Sequence, residues 1–150
     1  MPRSVPAPAA VIRPVVIDRA EHRFLLSPAQ LRCGDAWSVP AVPVRAGEPY
    51  RRTAVRYLLW ETGLPCLRIA PVVGVLPAVG GRQRVEYVVL ARSETGVWPY
   101  DVRSLWSPGA RWWNTAELRD TGVLVEPETL PLLMDGYWEG WLPDGEVSLE

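Results

Sequence analysis

The stretch VPVRAGEPYRRTAVRYLLWETGL, residues 42–64, decides how this chain folds. Pro49 suits the first turn of a helix, and Gly63 stands where a left-handed C-terminal cap is wanted. Between them Ala54, Val55, Leu58, Leu59 and Trp60 recur at spacings of three and four, which predicts an amphipathic helix. On such a helix residues three and four apart share a face, so Tyr57, Trp60 and Glu61 are expected to project together.

The pattern upstream is extended. Residues 11–18 are apolar and β-branched and read as a first strand, with Pro14 expected to limit its pairing. A polar turn through His22 leads to residues 23–27, which return as the second strand of a hairpin. A lone histidine in a turn is expected to be exposed. Residues 36–40 form another short extended piece. Downstream, 67–76 and 84–92 are long extended runs joined at Gly80-Gly81. In the second run Val85, Tyr87 and Val89 alternate with Glu86, Val88 and Leu90, so it is apolar on both faces and central in a sheet. Glu86 there either faces a pocket or pairs with an arginine, because an unpaired buried carboxylate is costly.

Residues 93–109 lack periodicity, and a loop of that length in a small domain is functional or mobile. Its rings, Trp98, Tyr100 and Trp106, would form a lid stacking on a planar ligand, or pack on the domain surface, or meet a second copy in a homodimer. Then come a short strand at 110–114, a helical turn at 115–119 and a last helix at 127–135 ending at Gly136. Trp37 and Trp112 are expected in the core, with Trp113 open. The tail, with Tyr137, Trp138 and Trp141, is too apolar to hang free. The reading is one domain over residues 10–150, preceded by a loose leader at 1–9.

Composition narrows the partners. A net charge of -1 over 150 residues gives no basic surface for nucleic acid and none for a membrane. All 16 basic residues are arginine, which removes any lysine-based mechanism. Cys33 and Cys66 are too few for a zinc site or a disulfide framework and read as free thiols. The most apolar run, 69–79, is short and broken by Pro71, Gly74 and Pro77, so no transmembrane helix is expected, and the chain reads as cytoplasmic.

Residues 42–64 also resemble, without a gap, the signature of the Nudix hydrolase superfamily. That signature runs Gly, five residues, Glu, seven residues, Arg-Glu, an aliphatic, any residue, Glu-Glu, any residue, Gly and an aliphatic. Glu48, Arg56, Leu58, Glu61, Gly63 and Leu64 match it; Val42, Tyr57 and Trp60 stand in place of Gly, Glu and Glu. Flanking landmarks are similar too. Trp37-Ser38-Val39-Pro40 looks like the family's lead-in, and Arg111-Trp112 followed by Glu117-Leu118 looks like its late signature. The fold implied is α+β, a Nudix-like α/β/α sandwich with a central mixed β-sheet.

The resemblance implies a division of roles. Glu48 and Arg56 would brace loop against helix and Gly63 would end the helix, so the structural parts of the signature are kept. The positions that gather magnesium in working members are Tyr57, Trp60 and Glu61, leaving Glu61 the one plausible ligand. Three functions are then open. One is a Nudix-derived enzyme of specialised metabolism, acting without metal on a small, partly aromatic or hydrophobic metabolite. There Glu61 and Tyr57 would serve as acid and base, with Trp60 drying the site. Trp60, Glu86, Arg45, Trp98, Tyr100 and Trp106 would bind the substrate. Another is a non-catalytic ligand-binding or regulatory module. The last is a residual hydrolase of a nucleoside diphosphate-linked compound, the only case in which magnesium or manganese is expected as a cofactor. Arg45, Arg51 and Arg52 either meet an anion or form a solvated face.

Overall fold

The computed structural model describes residues 9–31, 34–63, 67–78, 84–95, 98 and 102–149. The leader through Pro8, Cys33, Leu64, Cys66, the Gly80-Gly81 turn and Tyr100 lie outside the described residues. Ala9, read as leader, already opens the first strand.

Strand β1 (Ala9–Asp18) organises the sheet. It runs parallel to β6 (Arg84–Ser93), in register from Ala9 opposite Arg84 to Val16 opposite Ala91. On its other side β4 (Val42–Pro43) pairs with Val11 and Ile12, and β2 (Arg23–Leu31) pairs with Ile17 and Asp18. Pro14 falls in the gap between those two partners. A residue with no N–H to donate is tolerated there, so the strand runs straight through the proline expected to limit it. Val42 has a role in the same place: its extended backbone pairs with Ile12, which a β-branched residue suits better than glycine.

The full order is β8-β3-β2-β1-β6-β5-β9, with β4 and β7 (Arg111–Trp113) off that path. Here β3 is Gly34–Ser38, β5 Leu67–Leu76, β8 Leu124–Glu126 and β9 Gly145–Ser148. The sheet is mixed: β1 and β6, β5 and β9, and β3 and β8 are parallel pairs, while β1–β2, β2–β3 and β5–β6 are antiparallel. As expected, β6 is central. Strand residues alternate faces, so neighbours Val88 and Val89 enter different cores. Val89 joins Ile12, Val73 and Ala54 beneath α1 (Tyr50–Arg56). Val88 joins Val15, Ile17, Leu90 and Phe24, capped by Leu118 of α3 (Thr115–Thr121) and by Leu130, Leu133 and Met134 of α4 (Leu130–Glu139). Helices thus cover both faces of a mixed sheet, the α+β sandwich expected.

Several readings are corrected. Ala54 and Leu58 are buried, but Val55, Leu59 and Trp60 face outward, so the apolar stripe of the first helix is narrower than its spacing implied. The last helix does not end at Gly136. It continues to Glu139 and stops at Gly140, whose φ of 74° is left-handed. Gly136 is buried for another reason: a Cβ there would come within 2.9 Å of Leu142 Cγ and Trp141 Cζ2, so it lets the tail fold against the helix. The tail then adds β9 to the sheet edge. Trp113 is the fully buried member of its pair, whereas Trp112 is half-buried with Arg23 4.8 Å above its ring. His22 is exposed, as expected, and stacks on Trp138 at 4.8 Å. The long loop contains a short helix, α2 (Arg103–Trp106). No helix among the described residues is long and apolar enough to cross a membrane.

Candidate functional site

The first helix changes character where the site begins. After α1 the chain widens into a π-helical turn, Tyr57–Glu61, closed by the Thr62 N–H donating to Tyr57 O at 3.1 Å. Such turns interrupt α-helices and recur at functional sites. The Thr62 hydroxyl also donates to Leu58 O, and Gly63 leaves the turn at φ 69°. The wider turn breaks the face-sharing expected for residues 57, 60 and 61. Glu61 lies over Arg56, five residues back, and accepts from its Nη1 at 3.3 Å. Trp60 is 84% exposed, so it dries nothing around Glu61. Tyr57 turns inward against the sheet.

The expected brace is present. Arg56 Nη2 donates to Glu48 at 3.1 Å, and the Thr53 hydroxyl donates to the same carboxylate oxygen at 2.5 Å. These bonds, Thr53 first and Arg56 second, hold the Glu48 carboxyl below its ordinary range. Glu48, Arg56 and Glu61 therefore form one chain of contacts from the loop to the end of the helix. Arg56 Nε is buried without an acceptor.

On the inner side Tyr57 meets Trp106 edge-on, with centroids 6.2 Å apart. Trp106 is buried, packed with Val16, Leu25, Leu58, Ala91 and Val102, and Trp98 and Trp112 lean on the same cluster. The Trp98 indole donates to Ile17 O at 3.0 Å, whereas Trp106 Nε1 has no acceptor. Both rings pack against the domain. Burial, and secondarily the Glu61 charge, pushes the Tyr57 phenol above its ordinary 10.0. The folded state therefore holds that proton to higher pH than the unfolded chain does. Its contribution to stability is present below about pH 10 and is lost as pH rises through the raised value. Tyr57→Phe should accordingly lose less melting temperature between about pH 9 and 11 than the native protein. Tyr50, also raised, titrates equally in both. Parallel melting curves would refute the assignment to Tyr57.

The remaining candidates separate. Arg45, Arg56, Trp60 and Glu61 line one open groove together with Arg52 and Val55. Glu86 is buried and paired with an arginine. Arg13 Nε donates to it at 2.7 Å, Nη1 to Val39 O at 2.9 Å and Nη2 to Glu126 at 3.1 Å. The pairing alternative holds for Glu86, and it belongs to the core rather than the site. Sequence reading missed Arg13 altogether, although a lone charge inside a β-branched run is a signal that a buried partner is needed. It also passed over Thr53, which reinforces the brace.

The donor set can be set against the magnesium chemistry that the resemblance implies. Magnesium asks for octahedral oxygen ligands. Position 57 offers a phenol turned inward and position 60 an exposed indole, while the carboxylates of Glu48 and Glu61 are both engaged by Arg56. Among the described residues no three acidic, histidine or cysteine side chains gather. These residues do not fit a resident metal cluster.

No family model matches the chain, and neither does any curated protein. Solved structures do. A UDP-X diphosphatase superposes with a TM-score of 0.63 at 11% identity, over 97% of this chain and 70% of that one. An ADP-ribose pyrophosphatase from Streptococcus suis gives 0.58 at 15% identity, over 95% and 98%. A NUDIX hydrolase from Nitrosomonas europaea gives 0.58 at 16%, over 97% and 81%. The chain has the Nudix fold.

Proposed function

We propose that this protein is a Nudix-derived, hydrolase-like enzyme that acts on a small metabolite without a resident metal cluster. Glu61 is its base and the Tyr57 phenol its donor. One observation carries this reading: the half-buried Tyr57 phenol stands within electrostatic reach of the half-exposed Glu61 carboxylate, at the two ends of one π-helical turn where the resemblance places metal ligands. A protonated phenol can stabilise developing negative charge on a substrate oxygen, while the carboxylate takes a proton from water or substrate. The Arg56 guanidinium positions Glu61 and must share it during proton transfer.

A second reading is favoured by that same contact. If Arg56 never releases Glu61, the domain binds its ligand and performs no chemistry. In both readings the partner is a small molecule rather than nucleic acid or membrane, and the setting is cytoplasmic.

Incubating the protein with a metabolite extract in EDTA and following it by mass spectrometry separates the two. Turnover that survives EDTA and disappears in Glu61→Gln, with an unchanged circular dichroism spectrum, is the expected result. Turnover that Glu61→Gln retains removes the catalytic role. A compound bound and returned unchanged supports the binding module.

A further inference from the structure

The outer side of the first helix carries a groove of about 420 Å³, lined by Arg45, Arg52, Val55, Arg56, Trp60 and Glu61. Three guanidiniums face one carboxylate there. Arg56 is committed to Glu48 and Glu61, but none of the ion pairs among the described residues uses Arg45 or Arg52. Both are exposed and line the groove, with Arg45 near enough to Glu48 to help hold its carboxyl low. Beside these charges stands Trp60, 84% exposed, the most exposed large apolar side chain among the described residues.

Each feature selects a part of the same ligand. Guanidiniums bind oxyanions through paired, charge-assisted hydrogen bonds, and the planar fork fits phosphate and carboxylate alike. A bare indole face accepts a flat ring. We infer that this groove binds a flat, ring-bearing molecule through an oxyanion, phosphate or carboxylate, with Arg45 and Arg52 gripping the anion and Trp60 stacking on the ring. The positive charge comes from the protein itself, so binding needs no divalent cation. Glu61 lines the groove, which places the anion beside the proposed base; to that extent the inference rests on the function proposed above.

Calorimetric titration of the full chain in EDTA with phenyl phosphate, benzoate and uncharged benzyl alcohol tests it. At least one of the two anions should bind, at least about tenfold more tightly than the alcohol, and bind more weakly as salt rises. Preference between phenyl phosphate and benzoate then identifies the oxyanion. The double variant Arg45→Ala/Arg52→Ala and the single variant Trp60→Ala should each lose about tenfold or more in affinity. All three side chains are exposed, so the melting temperature should hardly move. Three results would overturn the inference: no anion bound at millimolar concentration, equal affinity for the alcohol, or unchanged affinity in the arginine double variant. Failure of this groove and failure of the catalytic reading are separable. Arginine-dependent binding without turnover of any bound compound leaves the groove and removes the enzyme. EDTA-resistant turnover that needs Glu61, together with arginine-independent binding, does the reverse.

Discussion

Replacing Arg13 by methionine is expected to remove about 3–5 kcal/mol of folding stability, the cost of breaking a buried ion pair from one side. Arg13 and Glu86 are each less than a tenth exposed, and the guanidinium also serves Val39 O and Glu126. Methionine fills much of the vacated volume, so little of the cost is a cavity. It arises because the Glu86 carboxylate stays in the core with no cation and the Val39 carbonyl loses its donor. Against a total stability of about 5–15 kcal/mol the loss is large enough to blunt the cooperative transition in urea. The double variant Arg13→Met/Glu86→Leu should recover most of it, since an apolar pair of similar volume often equals a buried ion pair. A single variant within about 1 kcal/mol of the native protein would mean that water reaches Glu86.

Trp113→Ala should cost a comparable amount, about 3–5 kcal/mol, for a different reason. Trp113 is 2% exposed and lies in the larger core cluster, edge-on to Trp37 at 5.0 Å and with the Arg111 guanidinium 4.1 Å above its ring. Its indole nitrogen has no hydrogen-bond partner, so the side chain stabilises by volume and ring contact alone. Trp113→Phe keeps a ring under Arg111 and against Trp37, gives up no hydrogen bond, and should lose less than half as much. Denaturation of the two variants side by side decides the matter. Equal losses would show that the indole N–H contributes after all.

The two residues were unequally visible from the sequence. Trp113 stands in a recognisable strand, but choosing it over Trp112 depends on which face of β7 meets the core, and three residues are too few to show an alternation. Arg13 carried a local signal, a lone charge in a β-branched run, but its partners did not: Val39, Glu86 and Glu126 are scattered along the chain and brought together by the sheet. Local signals did better. Pro49 and Gly63 bounded the first helix, and the long apolar runs gave β5 and β6. Asn114 and Glu117 form a capping box that spells out the start of α3 three residues apart. The short strands β8 and β9 were missed because each is ordered by a parallel neighbour far away in sequence.

At the site the sequence supplied the identities and the brace but not the directions. The spacing rule that grouped Tyr57, Trp60 and Glu61 assumes 3.6 residues per turn, and the π-helical turn removes that assumption. Tyr57 then packs inward, Trp60 faces water and Glu61 falls on Arg56. The groove became legible only once Arg52, read as one of several possible solvated charges, was seen to share a wall with Trp60.

The parallel pairing of β1 with β6 also bears on how the molecule forms. Its register joins Ala9 to Arg84 and Val16 to Ala91, so partners in the two central strands lie half the chain length apart. Contacts of that span require a large loop to close before any burial is gained, which slows folding relative to chains rich in local contacts. On the ribosome, the amino-terminal hairpin must wait, its apolar edge uncovered, until β6 has emerged. Until then the unpaired edge of β1 is open to capture by a chaperone or by another nascent chain.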